Sequence, residues 1–148
     1  MLKKILPICL MLAASTASAL SIRDDFYLEK IRFIQHHVPD RNSPQYKDAM
    51  RQLIGLVRPS DGYGLGDLGR AFMRMGEMEY AKNVLTSAVS QAPDNATAFG
   101  DLAHVSAMNN PRDCETARWA YGRAVALQPS QADERHVQQA QQVCDIRR

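Results

Sequence analysis

Apolar residues recur through the middle of the chain at helical steps. Leu65, Leu68 and Phe72 fall at i, i+3 and i+7, and Ala81, Val84, Leu85 and Ala88 follow at similar intervals. Gly76 separates the two stripes at a place where a helix can end in a left-handed residue, and Pro93 stands where the second helix must stop. Two antiparallel helices follow from this unit, and the expected fold class is all-α. The small residues Gly69, Ala81 and Ala88 let such helices approach closely where a larger side chain would hold them apart.

The unit repeats. Gly66-Asp67-Leu68-Gly69 returns as Gly100-Asp101-Leu102-Ala103, an offset of 34, and Ala81, Ala88, Val89 and Pro93 return as Ala117, Ala124, Val125 and Pro129, an offset of 36. The difference places a two-residue insertion in the turn at Asn109-Asn110-Pro111. A fainter copy precedes these, with Ile31, Ile34 and Val38 leading into Met50, Leu53, Ile54 and Val57, and Pro59 lying 34 residues before Pro93. Gly62-Tyr63-Gly64-Leu65-Gly66 is dense in glycine, lacks a preceding strand, and is expected to be a loosened turn between units.

These residues resemble the tetratricopeptide repeat (TPR) family. Leu65, Leu68, Gly69, Phe72, Ala81, Leu85, Ala88 and Pro93 stand at its signature places, and Phe99, Leu102, Ala103, Ala117, Tyr121, Ala124 and Pro129 do so again. The departures are Leu65 where Trp is commonest, Ser106 where a large aromatic is usual, and Lys47 where a small residue is expected. The resemblance is strong over residues 60 to 130 and weak over 24 to 59. It implies a helix-turn-helix solenoid of about three repeats, the first degenerate: 24–59, 60–95 and 96–131, the last with the insertion. Residues 132–148 then form a capping helix and tail, with Val137, Ala140, Val143 and Cys144 on one face, Asp133 and Glu134 in its first turn, and Arg147-Arg148 past its end.

The first residues carry a different message. Lys3 and Lys4 precede an apolar run from Ile5 to Ala14, and Ala17-Ser18-Ala19 forms a small-residue cleavage signal, the layout of a secretory signal peptide over 1–19 with Leu20 as the mature N-terminus. The run is shorter than the roughly 20 apolar residues needed to span a bilayer. Its Lys-Lys start and Ala-rich end look bacterial, so the expected destination is the periplasm or beyond. Loss of Lys3 and Lys4 takes Lys+Arg from 18 to 16, equal to the 16 Asp+Glu. A neutral chain argues against a nucleic-acid binder or a basic membrane-surface protein.

Export also changes how the cysteines read. With Cys9 removed, Cys114 and Cys144 remain for an oxidising compartment. If 113–127 and 131–145 are antiparallel helices across a turn at Pro129, each cysteine lies fifteen residues from that proline, which brings the two together. A structural disulfide is expected, contributing about 3 to 4 kcal/mol by closing its loop, with two unpaired thiols as the alternative.

Catalytic chemistry finds little support. His36 and His37 are adjacent, so on a helix their rings diverge and do not share a metal, and His104 and His136 make no ligand pair. No nucleophile elbow, zinc-protease motif or phosphate-binding loop is present, and no enzyme activity, metal or cofactor is expected. The TPR resemblance instead places Arg32, His36, Tyr63, Arg70, Met73, Arg74, His104 and Met108 on the concave face of the solenoid. With no carboxylate there besides Glu29 at the margin, that face would suit an acidic or C-terminal carboxylate segment of a protein or peptide partner, with adaptable contact from the methionines. The same residues also fit a merely solvated face. Gly66 and Arg70 stand where TPR proteins that clasp a C-terminal carboxylate carry Asn and Lys, so that clamp is not implied. Functionally the resemblance implies an envelope scaffold assembling a pilus or secretion machine, or alternatively a periplasmic holding chaperone like the TPR modules of cytochrome c maturation.

Overall fold

The computed structural model describes residues 13–147, with side chains from Asp25 onward. Among the described residues the chain is all-helical: α1 (Ala13–His37), α2 (Pro44–Ile54), α3 (Gly62–Arg74), α4 (Met78–Gln91), α5 (Ala96–Met108), α6 (Cys114–Leu127), a 3-10 turn at Pro129–Asp133, and α7 (Arg135–Val143). Residues 1–12 of the expected export segment lie outside the described residues, and 13–19 begin α1, which runs on through Leu20. No helix among the described residues is long and apolar enough to cross a membrane.

Local chemistry sets the helix ends. The side chains of Ser43, Asp61, Asn95 and Asp113 each accept a backbone N–H three residues on, from Tyr46, Gly64, Ala98 and Thr116, and so cap α2, α3, α5 and α6. Pro44 occupies the first turn of α2, where its missing N–H costs nothing. Gly76, at φ +75°, closes α3: its N–H donates to Met73 O at 3.1 Å and that of Glu77 to Phe72 O at 2.9 Å. Asp145, at φ +50°, ends α7 the same way, with Ile146 N–H donating to Gln141 O at 2.9 Å.

The expected loosened turn at Gly62-Tyr63-Gly64-Leu65-Gly66 is instead the first half of α3. Glycine disfavours a helix interior by about 1 kcal/mol relative to Ala, so packing must override propensity. A Cβ on Gly62 would lie 2.6 Å from the Ala92 nitrogen and 2.9 Å from Ala88 O, and one on Gly69 would lie 2.5 Å from Leu85 Cγ. The absent side chains let α3 sit directly against α4.

One core runs from Ile31 to Cys144. α3 packs against α1, α4 and α5, and α5 against α3, α4, α6 and α7. Surrounded in this way, α5 is buried from Ala98 to Ala107 and shows no polar stripe. α2 and α7 are the reverse, each burying one narrow face: Tyr46, Met50 and Leu53 in α2, Val137 and Ala140 in α7.

Cys114 and Cys144 form a disulfide, with Sγ atoms 2.12 Å apart and Cα atoms 5.3 Å apart. It ties the start of α6 to the end of α7, as the equal spacing from Pro129 requires. α7 is shorter than expected, because the 3-10 turn takes up Pro129–Asp133. Asp133 and Glu134 therefore precede α7 rather than occupying its first turn, and Glu134 makes no side-chain cap.

Candidate functional site

Four polar links between successive helix pairs share nearly one spacing. Tyr46 Oη donates to Glu77, Arg70 Nε to Asp101 Oδ2 at 2.9 Å, and Lys82 Nζ to Asp113 Oδ2 at 2.7 Å, each across 31 residues. His104 Nδ1 lies 3.0 Å from His136 O across 32. In these four links a polar residue on one pair meets its partner on the next at a nearly constant distance along the chain.

Asp101 is the most deeply buried of these acids, with 1% of its side chain exposed. Arg70 reaches it from α3, and His136 Nε2 lies 3.0 Å from its other oxygen, Oδ1, from α7. A buried carboxylate needs such partners, because an unpaired one carries a desolvation penalty of several kcal/mol. One turn further along α5, His104 is also buried. A carbonyl only accepts, so the His104 proton sits on Nδ1 and is donated to His136 O. Burial, the largest influence, pushes His104 below the usual histidine range, and the positive field of His136 adds to it, while the hydrogen bond to His136 and the charge of Asp101 oppose.

This arrangement changes the expected basic face. Asp101 is a carboxylate set among residues read as free of any but Glu29, and it is ion-paired with Arg70. His104 is turned into the α5–α7 contact, with only 9% of its surface exposed. Met73 is half-buried against the core. The other five are exposed: Arg32 and His36 on α1, Tyr63 and Arg74 on α3, and Met108 at the end of α5. Arg32 and His36 share a shallow depression of about 280 Å³ with Glu29, Phe33 and His37. There Phe33, 60% exposed, stacks on His37 with ring centroids 3.9 Å apart. The Tyr63 phenol is pushed up, chiefly by its hydrogen bond to Asp94.

A second buried carboxylate, Glu77, escaped the sequence reading. It accepts from Tyr46 Oη and from Gln35 Nε2 at 2.7 Å, and Arg41 Nη1 lies 3.5 Å away. Gln35 also donates to Met75 O at 3.1 Å. Burial first, then the Glu77 contact, pushes the Tyr46 phenol strongly upward, so Tyr46 stays a donor at any physiological pH. A cleft of about 470 Å³ opens beside this cluster, with Arg41, Lys47 and Arg51 on one side and Glu79 and Tyr80 on the other. The available signal was Tyr46 standing 31 residues before Glu77, the spacing of Arg70 before Asp101.

Among the described residues no group of three or more His, Cys, Asp or Glu side chains is placed to hold a metal ion. Comparison with known proteins finds no family model that matches this chain and no curated protein that matches it.

Proposed function

We propose that this chain is a tetratricopeptide-repeat solenoid of the bacterial envelope that binds a peptide or helix of a partner protein, without catalysis, as a scaffold or assembly factor for a pilus or secretion machine. The observation that carries the reading is the recurrence of inter-pair links across 31 or 32 residues, joined to helix pairs whose Gly69, Ala81 and Ala88 permit close packing. Repeats that contact only their neighbours build extended faces suited to holding chains. The signal-like start and the Cys114–Cys144 disulfide support an oxidising compartment.

The partner-binding face in this reading runs across α1 and α3 and reaches the end of α5, through Arg32, His36, Tyr63, Met73, Arg74 and Met108. Arg70 and His104 support it from within, Arg70 by fixing Asp101. The ligand therefore combines carboxylates, for Arg32 and Arg74, with apolar side chains for Phe33, Tyr63 and Met108. The test is capture of an envelope partner by the full chain, with Arg32→Glu and Arg74→Glu combined. Capture should be lost while the circular dichroism is unchanged, and undiminished capture would sink the proposal. Exposed Phe33, Tyr63 and Met108, at 60%, 54% and 42%, also suit a holding chaperone. That alternative predicts suppressed aggregation of an unfolded client and no stoichiometric complex with a folded one.

A further inference from the structure

α4 and α6 are equivalent by the offset of 36, yet their outward faces differ. Thr86, Ser90 and Gln91 of α4 correspond to Gly122, Ala126 and Leu127 of α6. The α4 hydroxyls are satisfied within their own helix, Thr86 donating to Lys82 O and Ser90 to Thr86 O. α6 instead exposes Ala126 and 39% of Leu127, and a Cβ added at Gly122 would meet nothing within 4 Å.

Beside this face lies a cleft of about 570 Å³ between α6 and the C-terminal segment, walled by Val125, Ala126, Ala132 and Ile146. Tyr121 completes the wall. It is 5% exposed, and its buried hydroxyl has no hydrogen-bond partner among the described residues. Arg118 and Arg147 also line the cleft, and neither forms an ion pair with a described carboxylate; Arg118 donates to Cys144 O, at 3.1 Å. An apolar trough flanked by two cations that have no counter-charge among the described residues specifies the chemistry of an occupant.

We infer that this cleft docks an acidic amphipathic helix of a protein partner, its aliphatic side chains against Val125, Ala126 and Ile146 and its carboxylates on Arg118 and Arg147. The surface shares no residue with the α1–α3 face, so it stands or falls separately from the proposed function.

The probe is a synthetic amphipathic helical peptide with a leucine stripe flanked by glutamates. It is titrated against the full oxidised chain and followed by peptide anisotropy and by the fluorescence of Trp119, the single tryptophan, which lies on α6. The glutamate peptide should bind, and Arg118→Glu with Arg147→Glu should weaken it by about tenfold or more. Ala126→Glu should abolish binding. Arg32→Glu with Arg74→Glu should leave it unchanged. Equal affinity for a lysine-flanked peptide, no binding of the glutamate peptide, or a self-association in sedimentation that Ala126→Glu disrupts would each overturn the inference, the last by assigning the cleft to a second copy of this chain.

Discussion

The two ends of the molecule solve one problem by different means. At the N-terminal junction, the first helix pair is held by a buried carboxylate: Glu77, in the turn between α3 and α4, gathers Gln35 from α1, Arg41 from the loop and Tyr46 from α2. At the C-terminal junction, the nine-residue α7 is held by the Cys114–Cys144 disulfide and by His136 against Asp101. A helix that short is marginal in water by itself. The difference teaches that a terminal element with little apolar area needs an added fastener, and that only the C-terminal one depends on redox state.

The sharpest way to break the comparison is to cut the covalent fastener. Reduction, or Cys114→Ser with Cys144→Ser, should cost about 3 to 4 kcal/mol of stability. Hydrogen exchange should show α7 losing protection first while α2 keeps its own, and equal loss at both ends would mean the junctions are not independent. The N-terminal counterpart is Glu77→Ala. It leaves the fully buried Tyr46 without its acceptor, so about 1 to 3 kcal/mol should be lost, with exchange rising in α2 and not α7.

A smaller effect is a pH dependence in the C-terminal half. His104 has its folded pKa below the ordinary histidine value, so the unfolded chain takes up the proton more readily. The stability linked to neutral His104 is complete above about pH 6.5 and falls as pH drops below it. His104→Gln, which retains a donor for His136 O, should flatten the stability profile between about pH 7 and 5. A slope unchanged from the parent would remove His104 from this role. Asp113 behaves in the carboxylate sense. Lys82 and then Thr116 lower it to about 2, so its stabilisation is present above about pH 4 and is lost as pH falls through the folded value. Asp113→Asn keeps the cap on α6 and removes the pair with Lys82, and acid titration should then show a shallower loss below about pH 4. The smallest change is Asp145→Gly. Relieving the left-handed backbone at φ +50° should raise stability by up to about 1 kcal/mol, read as a small increase in Tm.

Much of the architecture was legible because it is written in short-range chemistry. Gly76, Pro93 and Pro129 mark ends that depend only on local backbone, and the Cys114–Cys144 pairing followed from symmetry about Pro129. The glycines of α3 were illegible for the opposite reason. Their propensity argues for a turn, and it takes packing against α4 and the turn after it, Gly62 on Ala88 and Ala92 and Gly69 on Leu85, to explain why these two belong in a helix. The candidate face was partly legible. Arg32, Tyr63 and Arg74, which the TPR resemblance assigns to that face, are exposed. Asp101 and His104 lie on α5, where burial from every side erases the stripe that would show which way each residue points.

The central claim, that the α1–α3 face engages a partner, is tested most directly by a photo-crosslinking residue at Tyr63 in the full oxidised chain, with the same residue at Glu115 of α6 as the control. The account predicts a crosslink from Tyr63 to one envelope protein through a segment bearing carboxylates, lost when Arg32→Glu and Arg74→Glu are added, and none to that protein from Glu115. Crosslinking of that protein equally from both positions, or from Tyr63 regardless of the two arginines, would contradict it.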